Sequence, residues 1–258
     1  RRGARRRGDS EGQDGDVVAL RCFPAVVGQG TGQGLFLPLQ AHQETNPTQT
    51  VIRRFAFLVG ANDGGSGRTK LRFAVSDALS IRKVLEEMGG VAPEDVQLLQ
   101  DPNRETFLME IKKMDRLVSN ARSAHHKVEV IFYYSGHSDE KNILLGNEKL
   151  SYTGFKAAFD RIPADVRIAI LDSCASGAFT RLKGGNKKAP FLVDSAFDMK
   201  GCAIMTSSSS DEASQESDRL KGAFFTYYLV SGLRGAADMT RDGRITLNEA
   251  YQFAFNET

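Results

Sequence analysis

The sequence predicts an α/β protein: a mostly parallel sheet flanked by helices on both faces. Short apolar runs alternate along the chain with segments whose apolar residues recur at helical spacing. Several of those runs are apolar on both faces, as a strand covered from both sides requires. No internal repeat interrupts the alternation. With 258 residues, 41% of them hydrophobic and 26% charged, the chain can bury a core without disulfides or structural metals.

Residues 1–50 are rich in glycine and poor in apolar periodicity, which predicts a flexible lead or linker with one short strand at Val17 to Leu20. The basic start, Arg1 to Arg7, is offset by Asp9, Glu11, Asp14 and Asp16, and reads as a solvated tail. Val17 to Val27 fits a signal h-region poorly because Arg21 and Pro24 interrupt it. This tilts the expected location toward the cytoplasm rather than export.

The folded part is expected over residues 51–258. Phe55 to Val59 predicts the first buried strand. Leu71, Val75, Ala78, Leu79, Ile81, Val84, Leu85 and Met88 predict a helix that stops at Gly89-Gly90. Val96 to Leu99 is the second strand, and Phe107, Ile111, Met114, Leu117 and Val118 mark the second helix. Val128 to Tyr134 is the third strand, Phe155 to Phe159 a short helix, Arg167 to Leu171 the fourth strand and Cys202 to Thr206 the fifth. Helices over Phe224 to Leu233 and Thr246 to Phe255 close the pattern.

Several function classes are excluded. Lys plus Arg is 34 and Asp plus Glu is 32, so the net charge of 34 − 32 = +2 leaves no electrostatic footprint for nucleic acid. No apolar run approaches the ~20 residues a membrane helix needs. The loop Gly60 to Gly67 lacks the Lys-Ser/Thr ending of a P-loop and the glycine spacing of a dinucleotide fold, and reads as a flexible loop at the sheet edge. No zinc-type ligand spacing and no G-x-S-x-G occurs.

Ligands of such sheets bind beyond the carboxyl ends of the strands. Ser135-Gly-His-Ser138 follows the third strand, and Asp172-Ser-Cys-Ala-Ser-Gly177 follows the fourth. Neighbouring strands would bring His137 and Cys174 to one edge, where an imidazole can generate a thiolate nucleophile. Backbone amides near Gly136 and Cys174 could hold an oxyanion. Of the other cysteines, Cys22 lies in the lead and Cys202 reads as core. His42, His125 and His126 sit in polar stretches.

Tyr133-Tyr-Ser-Gly-His137 followed by Leu171-Asp-Ser-Cys-Ala-Ser-Gly177 resembles the caspase-like cysteine peptidases, among them the metacaspases and bacterial caspase homologues. The resemblance covers about residues 53 to 258, and includes Met205-Thr-Ser-Ser208 and Gly222-Ala-Phe-Phe-Thr226. It implies a caspase-haemoglobinase fold and a His137–Cys174 dyad cutting protein or peptide substrates, with no organic cofactor. Ser138 and Ala175 depart from the glycine and histidine common in metacaspases. A catalytically silent interaction module is the alternative, and the intact dyad argues against it. The resemblance also implies that Asp172 and Asp211 line a pocket accepting Arg or Lys. The basic loop Arg181-Leu-Lys-Gly-Gly-Asn-Lys-Lys188 stands where such enzymes join their large and small parts, and is a candidate self-cleavage site.

Asp238 to Glu249 resembles a calcium loop, with Asp238, Thr240, Asp242, the Arg244 carbonyl and Glu249 at positions 1, 3, 5, 7 and 12. The same residues also fit a turn followed by a helix capped by Thr246 and Glu249. Calcium is therefore the one candidate ion.

Overall fold

The computed structural model describes residues 19–21, 51–124, 126–173, 202–207 and 216–258, with residues 19–21 and 202 described through the backbone alone. In chain order the elements are β1 (Ala19–Arg21), β2 (Ile52–Ala61), α1 (Ala74–Glu87), β3 (Val91–Gln100), α2 (Arg104–Ser123), β4 (Lys127–Gly136), β5 (Asn142–Leu145), β6 (Glu148–Ser151) and α3 (Tyr152–Asp160). They continue with β7 (Val166–Asp172), β8 (Cys202–Thr206), β9 (Glu216–Ser217), β10 (Gly222–Ala223), α4 (Phe224–Ser231), a π-helical turn (Gly232–Ala236), β11 (Arg244–Thr246) and α5 (Leu247–Glu257).

The main sheet has the order β3-β2-β4-β7-β8, and every pairing in it is parallel. Its strands are apolar on both faces because both faces are covered. In β2, Phe55, Phe57 and Val59 face one apolar cluster, while Ala56 and Leu58 face the other. The first cluster is closed by α2 and α3. There Phe57, Phe107, Phe132 and Phe155 interlock, with ring centroids 4.4–6.2 Å apart. Such tilted and edge-on contacts add to the burial itself. The second cluster is closed by Ala78, Ile81 and Leu85 of α1, Phe225 and Leu229 of α4, and Ala250, Tyr251 and Ala254 of α5. No described helix is long and apolar enough to cross a membrane.

Three details differ from the sequence reading. Helix α1 starts at Ala74, after Leu71, and Leu79 turns outward with 43% of its surface exposed. The β5–β6 hairpin has no counterpart in the predicted elements. The loop after β2 is fastened along its length. Asn62 N and Asp63 N donate to Asp101 Oδ1, Ser66 N donates to Asn147 Oδ1, and Gly146 N donates to the Asp63 carbonyl. Expected as a flexible loop, it is a structured wall. The strand expected near Val17 appears as β1, antiparallel to β11. The rest of residues 1–50 lies outside the described residues.

Candidate active site

Strands β4 and β7 are direct parallel neighbours, in register from Glu129 opposite Val166 to Ser135 opposite Asp172. His137 therefore stands just past the end of one strand, beside the end of the strand that leads to Cys174. Cys174 itself, with Asp211 and the loop at 181–188, lies outside the described residues.

The imidazole is held from two sides. His137 Nε2 is 2.9 Å from the Thr69 carbonyl. A carbonyl can only accept, so Nε2 carries the proton and the neutral ring keeps Nδ1 as its basic nitrogen. The ring also lies against Gly64, where a Cβ would stand 2.3 Å from His137 Cδ2. Only glycine leaves room for the ring there. Behind it, Tyr134 Oη donates to the His137 carbonyl at 2.6 Å and reaches the Leu144 carbonyl at 2.9 Å. Gly136 is similarly confined, since a Cβ there would meet Tyr134 Oη at 2.5 Å and the Ala61 carbonyl at 2.9 Å.

Beside the imidazole lies an acidic recess. Ser135, Gly136, His137, Asp172, Glu216 and Ala223 line one small cavity. Asp172 is 2% exposed and accepts from Thr226 Oγ1 at 2.6 Å. Thr226 has one hydroxyl proton, so Tyr133 Oη, 2.6 Å away, donates to Thr226 in turn. Tyr133 stays a donor because burial, reinforced by Asp77 and Asp172, raises its pKa well above the usual tyrosine value.

A second buried acid joins this set. Asp77 of α1 is 3% exposed and accepts from Ala223 N at 3.1 Å. Burial, followed by the negative charge of Asp172, pushes its pKa up to about 8. Ser135 contributes a hydrogen bond to both Asp77 and Tyr133. Glu216 at the rim accepts from Phe73 N at 2.9 Å and Arg72 N at 3.0 Å, at the start of α1. Asp172 and Glu216 thus share one small cavity with His137, and Asp77 is buried against Ala223, which lines the same cavity.

The structure brings His137 and Asp172, both singled out in the sequence, to one cavity, and sets beside them Asp77 and Gly64, which the sequence reading did not single out. Asp77 had a signal, since it lies four and seven residues before Ile81 and Val84, on the buried face of its helix. Gly64 had none, because its partner is brought to it by the sheet.

The calcium-type loop forms a compact turn. Asp238 accepts from Asp242 N at 3.2 Å and Gly243 N at 3.0 Å, and Asp242 accepts from Arg244 N at 2.8 Å. Thr240 Oγ1 is 3.4 Å from Asp238, and Thr246 and Glu249 form a capping box. Among the described residues, no three His, Cys, Asp or Glu side chains gather closely enough to hold a metal ion.

A family model described as the caspase domain matches residues 53–252. Metacaspase-1 of Candida glabrata is 33% identical over 131 residues, which is 49% of this chain and 30% of that protein. The chain therefore spans under a third of the length of that relative. The crystal structure of caspase-1 from Spodoptera frugiperda superposes with a TM-score of 0.51 at 12% identity, covering 72% of this chain and 71% of the other. At that identity the likeness speaks for the fold alone.

Proposed function

The chain belongs to the caspase domain family of cysteine peptidases, and from that premise we propose that it is an endopeptidase working through His137 and Cys174 and cutting after arginine or lysine. The observation that carries the reading is the placement of His137. Its Nε2 proton is committed to Thr69, and it stands at a strand end whose neighbour leads within two residues to Cys174. In this reading Nδ1 takes the Cys174 thiol proton and Sγ attacks the scissile carbonyl carbon. The amides at Gly136 and Cys174 receive the oxyanion. The imidazolium then protonates the leaving amine. A water that gives its proton to the same nitrogen cleaves the thioester and restores the thiol. No organic cofactor takes part.

The preference for a basic residue rests on Asp172 and Glu216, which line one cavity with His137, and on Asp77, buried nearby against Ala223. Asp211 is assigned to the same pocket from the sequence. A buried pair of acids would repel an aspartate side chain and complement a guanidinium or ammonium. Fluorogenic peptides ending in Arg, Lys and Asp test both parts. The wild type should turn over the first two, and Cys174→Ala and His137→Ala should lose that activity. Faster turnover of the Asp peptide would refute the specificity, and activity surviving in Cys174→Ala would refute the dyad.

A further inference from the structure

We propose that Thr226, with Tyr133 behind it, is the positioning residue that fixes Asp172 as the charged acid of the recess and so sets the preference for a basic side chain. The proposal rests on the function proposed above and adds to it a residue that does not touch the substrate. Thr226 is 1% exposed and Tyr133 is fully buried, and neither lines the cavity that Asp172 shares with His137. Both stand where an apolar side chain would pack. Thr226 lies on the buried face of α4 with Phe225, Leu229 and Val230, and Tyr133 belongs to the cluster beneath that helix. A buried hydroxyl is costly unless it is bonded, and valine and phenylalanine would fill these places without that cost.

What the two hydroxyls supply is a directed chain. An ionised carboxylate only accepts, so the single Thr226 proton goes to Asp172 Oδ2 at 2.6 Å. Tyr133 Oη then donates to Thr226 Oγ1 at 2.6 Å. Each bond polarises the next in a dry interior, and the chain ends on the carboxylate.

The two buried acids are thereby told apart. Asp77 accepts from the Ala223 amide at 3.1 Å, whereas Asp172 stands at the end of the hydroxyl chain. Burial, followed by the charge of Asp172, lifts Asp77 to about 8, so at neutral pH Asp77 holds its proton and Asp172 carries the charge. A hydrogen bond donated to the charged form favours that form. Without the Thr226 hydroxyl, Asp172 would lose this support and Tyr133 Oη would lose its acceptor. A guanidinium or ammonium would then meet a buried pair with far less negative charge.

Steady-state kinetics on an arginine peptide compare the wild type with Thr226→Val and Thr226→Ser. Valine keeps the volume and removes the hydroxyl, and KM should rise about ten- to a hundredfold while kcat stays within about twofold. Serine keeps the hydroxyl and should hold KM within about threefold of the wild type. A packing role predicts the reverse order, because serine leaves a void and valine does not. Agmatine, a guanidinium with no scissile bond, gives a reading independent of turnover. Titrated calorimetrically into the full chain carrying Cys174→Ala, it should bind about ten- to a hundredfold more weakly when Thr226→Val is added. Tyr133→Phe removes only the outer link, should weaken agmatine about two- to fivefold, and serves if Thr226→Val does not fold. An inactive wild type whose Cys174→Ala form binds agmatine through Thr226 would refute the endopeptidase reading and support this one. An active wild type with the same KM as Thr226→Val would overturn the proposal. So would agmatine binding that neither substitution alters.

Discussion

His137 rests on Gly64 so closely that the smallest side chain there must move it. The clash would be with the ring and Cβ of His137, at 2.3–2.8 Å, and not with the tip of a flexible chain. Gly64→Ala should pull the imidazole from the Thr69 carbonyl and lower kcat/KM by about ten- to a hundredfold, since a shift of about 1 Å can cost that much. Far-ultraviolet dichroism should stay unchanged, and an unchanged kcat/KM would refute the positioning role. Asp77 carries a second prediction. Its carboxyl titrates at about 8 in the fold against an ordinary 3.8, so between those values the folded protein holds a proton that the unfolded chain has lost. Stability contributed by the protonated form is full at low pH and drains as pH rises toward 8, at no more than about 1.4 kcal/mol per unit. Asp77→Asn mimics the neutral acid. Urea unfolding at pH 5 and pH 8 should show the variant gaining on the wild type as pH rises, and parallel curves would refute the shifted carboxyl. Binding a cationic substrate favours the ionised carboxylate, so KM for an arginine peptide should fall up to about tenfold per unit as pH approaches 8. Asp77→Asn should flatten that dependence.

At the scale of elements, β4 does more than fill the sheet. Its odd and even residues enter different cores, and Tyr134 near its end reaches forward to tie the His137 turn to β5. Tyr134→Phe keeps the ring and removes both bonds, leaving the Leu144 carbonyl short of a donor. A loss of about 1–2 kcal/mol by urea unfolding is expected, together with reduced turnover. Equal stability would show that the hydroxyl is replaceable. Strands such as β4 were legible because a strand buried on both faces is a nearly continuous apolar run, and Val128 to Tyr134 is broken only at Glu129. The β5–β6 hairpin was not legible. Its strands are four residues each, and Ile143-Leu-Leu145 shows neither strand alternation nor helical spacing. The opening of α1 was misread for a related reason. Leu71 packs beside the recess and so continues the apolar pattern, yet the helix begins three residues later, where Glu216 receives the amides of Arg72 and Phe73. The candidate site divides the same way. His137 and Asp172 announce themselves by following strand ends, whereas Gly64 acquires its meaning only from a contact across the sheet edge.

At the scale of the whole molecule, the parallel sheet collects its chemistry at one edge and leaves long connections between strands. Strands β7 and β8 are adjacent and parallel, so residues 173–201 join the carboxyl end of one to the amino end of the other. That connection leaves β7 just after Asp172, and in the sequence it carries Cys174 and then Arg181-Leu-Lys-Gly-Gly-Asn-Lys-Lys188. Basic residues flanking two glycines, with no apolar periodicity, suit a protease that accepts arginine and lysine. We expect the enzyme to cut itself there, after Arg181, Lys183, Lys187 or Lys188. Incubated wild type should yield two fragments dividing within residues 181–188, read by intact-mass spectrometry. Cys174→Ala should stay whole alone and be cut when active enzyme is added, if one molecule processes another. Replacing the four basic residues by serine should abolish the fragments and leave the recess beside His137 untouched. Equal nicking of wild type and Cys174→Ala would assign the cleavage to another protease. A wild type that hydrolyses arginine peptides yet remains uncut would show that the acidic recess reads substrates without reading its own chain.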